Sequence, residues 1–305
     1  MRPTTPADRD RLMRWATYAS AGTAATLIAI KLAAWTMTGS VALLSTLIDS
    51  VIDAAASLVN IWAVRHALMP MDQHYRFGRG KAEPLAGLGQ AAFIVGAGMF
   101  LLIEAADRAL HPTTIVQGEV GIAVMVISII LTLALVKFQR HVIRRTESVA
   151  ISADSLHYAG DVLINLSVIV SMLLSMWFGW GYADPIFAAA IAGFLIWNAR
   201  AIAIRSLRVL MDRELPDQER QSIRMIAMSH QDVRNVHDLR TRQSGIHGFI
   251  QLHLELDGEM SLNHAHAVAQ SVERTILEAY PNFQVIIHQD PAGPRDAPQG
   301  REVFH

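Results

Sequence analysis

The chain has 305 residues, of which 52% are hydrophobic and only 17% are charged, and its mean hydropathy is +0.29. This composition is too apolar for an ordinary soluble domain, and the formal net charge of -1 argues against a nucleic-acid-binding protein. The absence of cysteine excludes disulfides and thiolate metal sites, and leaves His, Asp and Glu as the strong metal ligands.

Six mostly apolar stretches are long enough to cross a lipid bilayer as helices, because about 20 helical residues span its hydrocarbon core. No small-residue cleavage site follows the first stretch, so we predict a retained span rather than a signal peptide. The sequence therefore predicts an all-α, six-helix transmembrane domain in residues 1–208. Its spans are predicted at residues 13–38, 41–68, 83–108, 116–138, 148–178 and 183–206.

Lysine and arginine residues are concentrated in alternate connections of the predicted bundle. They lie before or at the start of the first span, and at the end of or after the second, fourth and sixth. These residues are Arg2, Arg9, Arg11, Arg14, Arg76, Arg79, Lys81, Lys137, Arg140, Arg144, Arg145, Arg205, Arg208 and Arg213. The other connections are almost free of cations. Positive-inside bias therefore predicts that both termini are cytoplasmic.

The chain becomes polar and amphipathic after Leu210. Residues 214–230 and 261–280 have the periodicity of amphipathic helices, the second opened by Ser261, and three segments alternate as strands do. These strands are predicted at residues 236–243, 247–257 and 283–290. The order helix, strand, strand, helix, strand predicts a cytoplasmic α+β domain in residues 209–292, followed by a mobile tail, 293–305.

Four ionisable residues in two predicted spans form the main candidate site. Asp49 and Asp53 are four residues apart in the second span, and His157 and Asp161 repeat this spacing in the fifth. Each pair therefore shares one helix face. Such groups cost about 2.5–3.5 kcal/mol each at the centre of a membrane helix, and they are functional by default. If the faces meet, three carboxylates and one imidazole converge on a divalent cation, and the imidazole favours a zinc-like ion.

Two further charged residues of the spans are given structural interpretations. Lys31 lies near enough to the end of the first span for its ammonium to reach the membrane surface. Asp154, one turn before His157, is predicted to be a rim or capping acid at the cytoplasmic end of the fifth span.

The candidate site predicts a transporter that exchanges metal for protons. A divalent cation offsets the repulsion between the carboxylates, and an empty site relieves the same repulsion by binding protons. An intramembrane hydrolase would need a general base and an open coordination position, and the sequence has no HExxH motif. A passive channel would need weaker, serial sites. A membrane-bound divalent-metal sensor without transport stays open as the alternative function.

The two spaced pairs and several flanking segments resemble the cation diffusion facilitator family. These segments are FGRGKAEPLA (77–86), LHYAGDV (156–162), DLRTRQSG (238–245) and VIIHQDP (285–291). The resemblance implies a homodimer in a bacterial inner membrane that exports zinc from the cytoplasm by alternating access, in exchange for protons. Cadmium and ferrous iron are further candidate substrates. It also implies a metallochaperone-like, ferredoxin-like soluble domain of αββαβ order.

The same resemblance implies a binuclear zinc site in the soluble domain, formed by His237, His253, His266, His288 and Asp290. Whether these metals regulate transport or only stabilise the dimer stays open. It further implies a charge pair, Lys81–Asp212, between the loop after span two and the soluble domain. The remaining histidines of that domain have no counterpart and are predicted to face solvent; they are His230, His247, His264 and His305.

The loop after span two departs from the family pattern. The family places a metal site there, with an Asp followed by histidines three and seven residues later. In this chain Asp72 is present, but Tyr75 and Arg79 occupy the histidine positions and His74 is displaced by one residue. A guanidinium has no lone pair to donate to a metal. The Asp72–His74 loop site is therefore predicted to be weak or absent.

Overall fold

The protein is described by a computed structural model that covers residues 6–39, 41–110, 119–178, 180, 182–245 and 247–292. The chain forms two compact units, Met1–Leu210 and Met211–His305. The predicted mobile tail, 293–305, lies outside the described residues, as do residues 116–118 at the start of the predicted fourth span.

The first unit contains six long helices within these ranges. They are α1 (Pro6–Thr38), α2 (Val41–Ala67), α3 (Ala82–Leu110), α4 (Glu119–Thr146), α5 (Val149–Phe178) and α6 (Ala183–Leu210). Among the described residues, four helices, α2, α3, α4 and α6, are long and apolar enough to cross a membrane. Trp62, Phe100 and Trp197 are more than half exposed, as expected of a bundle whose surface faces lipid.

Close helix packing positions α5 against α6. Gly160 of α5 lies so near Leu195 that a Cβ at position 160 would stand 2.9 Å from Leu195 Cδ2. Small residues of this kind allow membrane helices to approach closely. Because Gly160 lies between His157 and Asp161 in the sequence, this contact is on the segment of α5 that carries the candidate ligands.

The first turn of α5 is held by two capping side chains. Ser148 Oγ accepts a hydrogen bond from the Ile151 N–H at 3.2 Å, and Glu83 Oε1 accepts one from the Val149 N–H at 2.8 Å. Glu83 is only 4% exposed. Since the first N–H groups of a helix lack partners within the helix, these acceptors stabilise the start of α5 and connect it to α3.

The second unit has the element order predicted from the sequence. It consists of α7 (Asp217–Met228), β1 (Asn235–Ser244), β2 (His247–Asp257), α8 (Leu262–Ala279) and β3 (Phe283–Ala292). The sheet order is β1-β2-β3, with β2 antiparallel to β1 and parallel to β3. Ile223, Ile250 and Ile276 are fully buried between the helices and the sheet. The Ser261 side chain accepts a hydrogen bond from the His264 N–H, which confirms it as the cap of α8. The ferredoxin-like assignment stays a prediction.

Candidate metal centres

Three of the four predicted intramembrane ligands meet between α2 and α5. One donor atom each of Asp53, His157 and Asp161 lies within 4.8 Å of the other two. His157 Nε2 is 2.8 Å from Asp53 Oδ1, and the two side chains are only 11% and 16% exposed. An imidazole and two carboxylates at this spacing form a donor set suited to a zinc-like cation.

The fourth predicted ligand, Asp49, lies outside this group. It is one turn before Asp53 on α2, and it is exposed in the isolated chain. The structure therefore brings together one ligand of α2 and two of α5. The role of Asp49 as a ligand stays a prediction.

The Lys31 side chain is directed toward α2 near the cluster. The prediction that it reaches the membrane surface is therefore wrong. Its Nζ donates hydrogen bonds to Ser50 Oγ at 2.7 Å and to the Thr46 carbonyl at 3.0 Å, both on α2. Coulombic attraction from Asp53 and the neighbouring carboxylates acts on the ammonium there. A polar partner and these acids keep it inside the helix pair, where burial alone would be unfavourable.

The prediction that Asp154 is a rim acid is also wrong, because this residue is at the centre of a buried polar network. It is only 3% exposed. Its carboxylate accepts hydrogen bonds from Ser20 Oγ at 2.6 Å, Gln139 Nε2 at 2.7 Å, Asn60 Nδ2 at 2.9 Å and Gln90 Nε2 at 3.3 Å. These donors come from α1, α4, α2 and α3, so the network joins five helices one turn from His157.

The polar network continues through two hydroxyl groups. Ser57 Oγ lies 3.1 Å from Ser20 Oγ and 2.9 Å from the Tyr158 hydroxyl. Buried polar groups require such partners, because an unsatisfied one is costly in an apolar environment. The sequence contained a signal for this network, since Asn60 and Gln90 are amides within apolar stretches.

In the second unit, three predicted ligands lie side by side across the sheet. The strand register places His237 opposite His253, and His253 beside His288. Asp290 follows His288 by two residues and therefore shares its face of β3. The sheet register thus gathers residues that are up to 53 positions apart in the chain.

The carboxylate of Asp290 contacts all three imidazoles. Its Oδ2 is 3.2 Å from His237 Nε2 and 2.8 Å from His253 Nδ1, and its Oδ1 is 3.1 Å from His288 Nε2. A carboxylate with both oxygens directed at imidazole nitrogens is suited to bridging two cations. His266 is exposed on α8 and lies outside the group formed by His237, His253 and Asp290.

Sequence reasoning missed one acidic neighbour of this cluster. Glu255 Oε1 lies 3.1 Å from His237 Nδ1, the ring nitrogen that does not face Asp290. Carboxylates beside the outer nitrogen of a ligating histidine fix its orientation and tautomer. The alternation of β2 was the available signal, because Glu255 is two residues after His253 and shares its face.

In the loop after α2, the Asp72 carboxylate already accepts hydrogen bonds from other groups of the protein. Asp72 Oδ1 accepts the backbone N–H groups of His74 and Tyr75, and Arg79 donates to Asp72 Oδ2 at 2.5 Å. The hydrogen bond from the Tyr75 N–H has the largest effect and that from the Arg79 guanidinium the next largest, and both lower the pKa of the Asp72 carboxyl. These contacts favour a loop held by internal hydrogen bonds over a metal site.

Replacing Asp72 by alanine is expected to leave the number of zinc ions bound per chain unchanged, because both oxygens already have protein donors. The measurement is equilibrium dialysis of the full chain in detergent, followed by elemental analysis. His74→Ala serves as the matched variant of the same loop. Loss of one zinc per chain in both variants would show that the loop binds metal after all.

The predicted Lys81–Asp212 pair would join the two units and stays a prediction. Within the first unit, Lys81 Nζ donates to the Leu210 carbonyl at 3.3 Å. Within the second unit, an Arg242 guanidinium nitrogen lies 3.4 Å from Asp212 Oδ2.

Comparison with known proteins places both units in one family. The family profile of the cation efflux transmembrane domain matches residues 17–211, and that of the cation efflux protein cytoplasmic domain matches residues 215–292.

Individual relatives match almost the whole chain. The cation-efflux pump FieF of Klebsiella pneumoniae is 44% identical over 282 residues, which cover 92% of this chain and 94% of the pump. FieF of Salmonella schwarzengrund is 46% identical over 281 residues, covering 92% and 93%. A solved structure of CzrB in its zinc form is 33% identical and covers 28% of this chain and 99% of its own, with a TM-score of 0.27. The chain therefore belongs to the cation diffusion facilitator (cation efflux) family and is a membrane-integral transporter rather than an enzyme.

Proposed function

We propose that this protein exports divalent cations, zinc foremost, from the cytoplasm in exchange for protons. The observation that carries the proposal is the meeting of Asp53, His157 and Asp161 between two helices of the cation efflux domain. One imidazole with carboxylates suits zinc, cadmium or ferrous iron better than magnesium or calcium, which prefer oxygen ligands throughout.

The exchange of metal for protons follows from the charge of the site. Two carboxylates close to each other in an apolar environment repel, and either a divalent cation or protons reduce that repulsion. Because the ligands must be deprotonated to bind metal, metal loading releases protons and proton return displaces metal. When its ammonium is protonated, Lys31 adds positive charge nearby, which weakens cation retention and so favours release.

The proposed transport cycle is alternating access of a homodimer in the bacterial inner membrane, with both termini in the cytoplasm. Asp49 is the proposed fourth ligand. Either a different side-chain rotamer or a movement of α2 would be needed to bring its carboxylate into the group. The soluble cluster would hold zinc through His237, His253, His288 and Asp290, with His266 as a proposed further ligand. The proposed Lys81–Asp212 pair would connect the two units.

Zinc flux through the reconstituted protein is expected to depend on a proton gradient. The full chain is placed in liposomes that contain a zinc-sensitive and a pH-sensitive dye. With zinc outside, an acidic vesicle interior should accelerate zinc entry several-fold, because protons leaving the lumen drive the exchange. Each pulse of zinc should also produce a rise in lumenal pH.

The same vesicles distinguish the alternatives. Zinc flux that is equal with and without the pH gradient would exclude antiport. Zinc binding to the purified protein without any flux would support a divalent-metal sensor. Vesicles without protein, and vesicles with a His157→Ala chain, provide the leak rate.

A further inference from the structure

Arginine and lysine side chains cover one end of the helix pair α1–α4, outside both candidate metal centres. On α1, Arg11 and Arg14 are exposed, and on α4 the exposed cations are Lys137, Arg140 and Arg144. These five residues together are called the basic surface. None of them belongs to the ligand groups of the transport site or of the soluble cluster.

Two contacts hold α1 and α4 together near the basic surface. The Arg9 guanidinium on α1 donates to the Thr146 carbonyl at the end of α4, at 2.9 Å. About three turns later on α1, Ser20 Oγ donates to an Asp154 oxygen at 2.6 Å, and Gln139 Nε2 of α4 donates to the same oxygen at 2.7 Å. The two helices are therefore antiparallel, so the start of α1 lies beside the end of α4.

On α4 the cations continue a side of the helix that is exposed and apolar. Ile130 and Leu133 are at least half exposed, and Lys137, Arg140 and Arg144 follow them at intervals of three or four residues. This spacing keeps the side chains on one side of a helix. That side therefore changes from apolar to cationic within about one turn, as expected where a helix leaves the hydrocarbon core and enters the layer of lipid headgroups.

Two aromatic side chains accompany the cations on α1. Trp15 is 60% exposed and Tyr18 is 54% exposed, and they follow Arg11 by four and seven residues, on the same side of the helix. Tryptophan and tyrosine are enriched at the boundary between lipid and water, because their rings are apolar and each has a polar group. They therefore indicate that the basic surface lies at the depth of the headgroups.

The protein does not neutralise the basic surface by ion pairs of its own. Within the described residues of the first unit, the ion pairs involve other cations and none of these five. Two carboxylates near this end are engaged elsewhere, since Glu147 lies 3.4 Å from an Arg205 guanidinium nitrogen and Asp154 is buried. Clusters of cations beside a membrane helix attract anionic lipids, which supply the missing negative charge.

We propose that the basic surface binds the headgroups of anionic phospholipids, such as phosphatidylglycerol, in preference to zwitterionic ones. Arginine suits this role, because its guanidinium can donate two hydrogen bonds to one phosphate. A zwitterionic headgroup has a similar phosphate but also an ammonium group, which the cations repel. The acyl chains would lie along the apolar side of α4 that includes Ile130 and Leu133. The proposal rests on the membrane location of the chain and does not depend on metal transport.

The rival explanation is that these cations only orient the chain in the membrane. Positive residues beside spans bias the topology of a protein without binding a particular lipid. They would then attract any anionic surface in proportion to their number. Removing any four exposed arginines of the first unit would have the same effect on lipid binding.

Native mass spectrometry of the full chain in detergent tests the proposed preference. Phosphatidylglycerol and phosphatidylcholine with identical acyl chains are added in equal amounts, and the bound molecules of each lipid are counted. The parent is expected to bind phosphatidylglycerol at least tenfold more tightly. The combined variant Arg11→Gln, Arg14→Gln, Arg140→Gln and Arg144→Gln should lose this preference and keep its affinity for phosphatidylcholine.

The matched control removes four other exposed arginines of the first unit, by Arg65→Gln, Arg76→Gln, Arg200→Gln and Arg208→Gln. This control has the same net charge as the first variant, and it should bind phosphatidylglycerol as tightly as the parent. Equal losses in both variants would leave only general electrostatic attraction and would overturn the proposal. An undiminished preference in the first variant would overturn it as well.

Two further measurements distinguish a lipid from other occupants of the basic surface. Glycerophosphoglycerol in excess, which is the same headgroup without acyl chains, should not displace the bound lipid, and displacement would assign the surface to a soluble phosphate compound. The measured masses also give the oligomeric state, and a loss of dimers in the first variant alone would assign the surface to contact between copies.

Circular dichroism of each variant establishes that the chain is folded. If the fourfold variant does not fold, Arg140→Gln combined with Arg144→Gln removes the cations of α4 alone. This double variant should still lower the affinity for phosphatidylglycerol at least threefold, and an unchanged affinity would overturn the proposal.

Discussion

Replacing Asp53 or His157 by alanine is expected to reduce zinc flux in proteoliposomes by at least about 100-fold. Removal of groups that merely orient metal ligands already costs about 10–100-fold in affinity or activity, and these two residues supply donor atoms themselves. His157 Nε2 and Asp53 Oδ1 are 2.8 Å apart, so each loss also leaves the other without its neighbour. The measurement is the initial rate of zinc entry at a fixed pH gradient.

A control on the same helix separates ligand loss from general damage. His66 is a partly exposed histidine of α2 whose Nδ1 contacts the Trp62 carbonyl, and it lies outside the ligand group. His66→Gln is expected to retain the parental rate. Parental flux in both Asp53→Ala and His157→Ala would remove the basis of the proposed transport site.

Asp49→Ala measures the contribution of the ligand that the structure leaves outside the group. A transport site with four ligands predicts a loss comparable to that of Asp53→Ala. A rate close to that of the parent would instead assign transport to Asp53, His157 and Asp161 alone.

Replacing Asp154 by leucine is expected to destabilise the helical bundle by about 3–5 kcal/mol. The change removes the acceptor of four buried donors, and each unsatisfied buried donor costs about 1–3 kcal/mol, part of which neighbouring groups recover. Asp154→Asn should have a smaller effect, because its amide keeps one acceptor oxygen. The temperature of unfolding in detergent, followed by tryptophan fluorescence, measures the change.

Ser152→Ala is the matched control for Asp154 on α5. Ser152 Oγ donates to the Ser148 carbonyl one turn earlier at 2.7 Å, a local contact, so its loss should shift unfolding very little. If Asp154→Leu unfolded at the same temperature as Ser152→Ala, the five-helix network would not contribute to stability. A large shift with parental zinc affinity would assign Asp154 to bundle stability rather than to metal binding.

The features most readily predicted from the sequence were those that depend on a short repeat of residue types along the chain. Apolar stretches locate the helices of the first unit, and the alternation of residues 247–257 locates β2, because side-chain direction repeats every 3.6 or 2 residues. The i,i+4 spacing placed His157 and Asp161 on one face of α5 for the same reason. The position of Ser261 as a helix cap is equally local, since its partner is only three residues away.

The family motifs extended the analysis to residues far apart in the chain. They grouped His237, His253, His288 and Asp290, which the sheet then brought together through its register. Register depends on the pairing of whole strands. The alternation of β2 could therefore place Glu255 on the face of His253, but not beside His237 of the neighbouring strand.

By itself, the sequence determined which segments are helices or strands and which acids and histidines share a helix face. Only the tertiary structure decided the environment of each group: Asp154 is buried among amides, Lys31 turns toward α2, and Asp49 lies outside the ligand cluster. It also decided that His230 and His264 approach Asp232. The physical reason is that burial and Coulombic contacts depend on packing between elements distant in the chain, whereas periodicity reports only the neighbours along it.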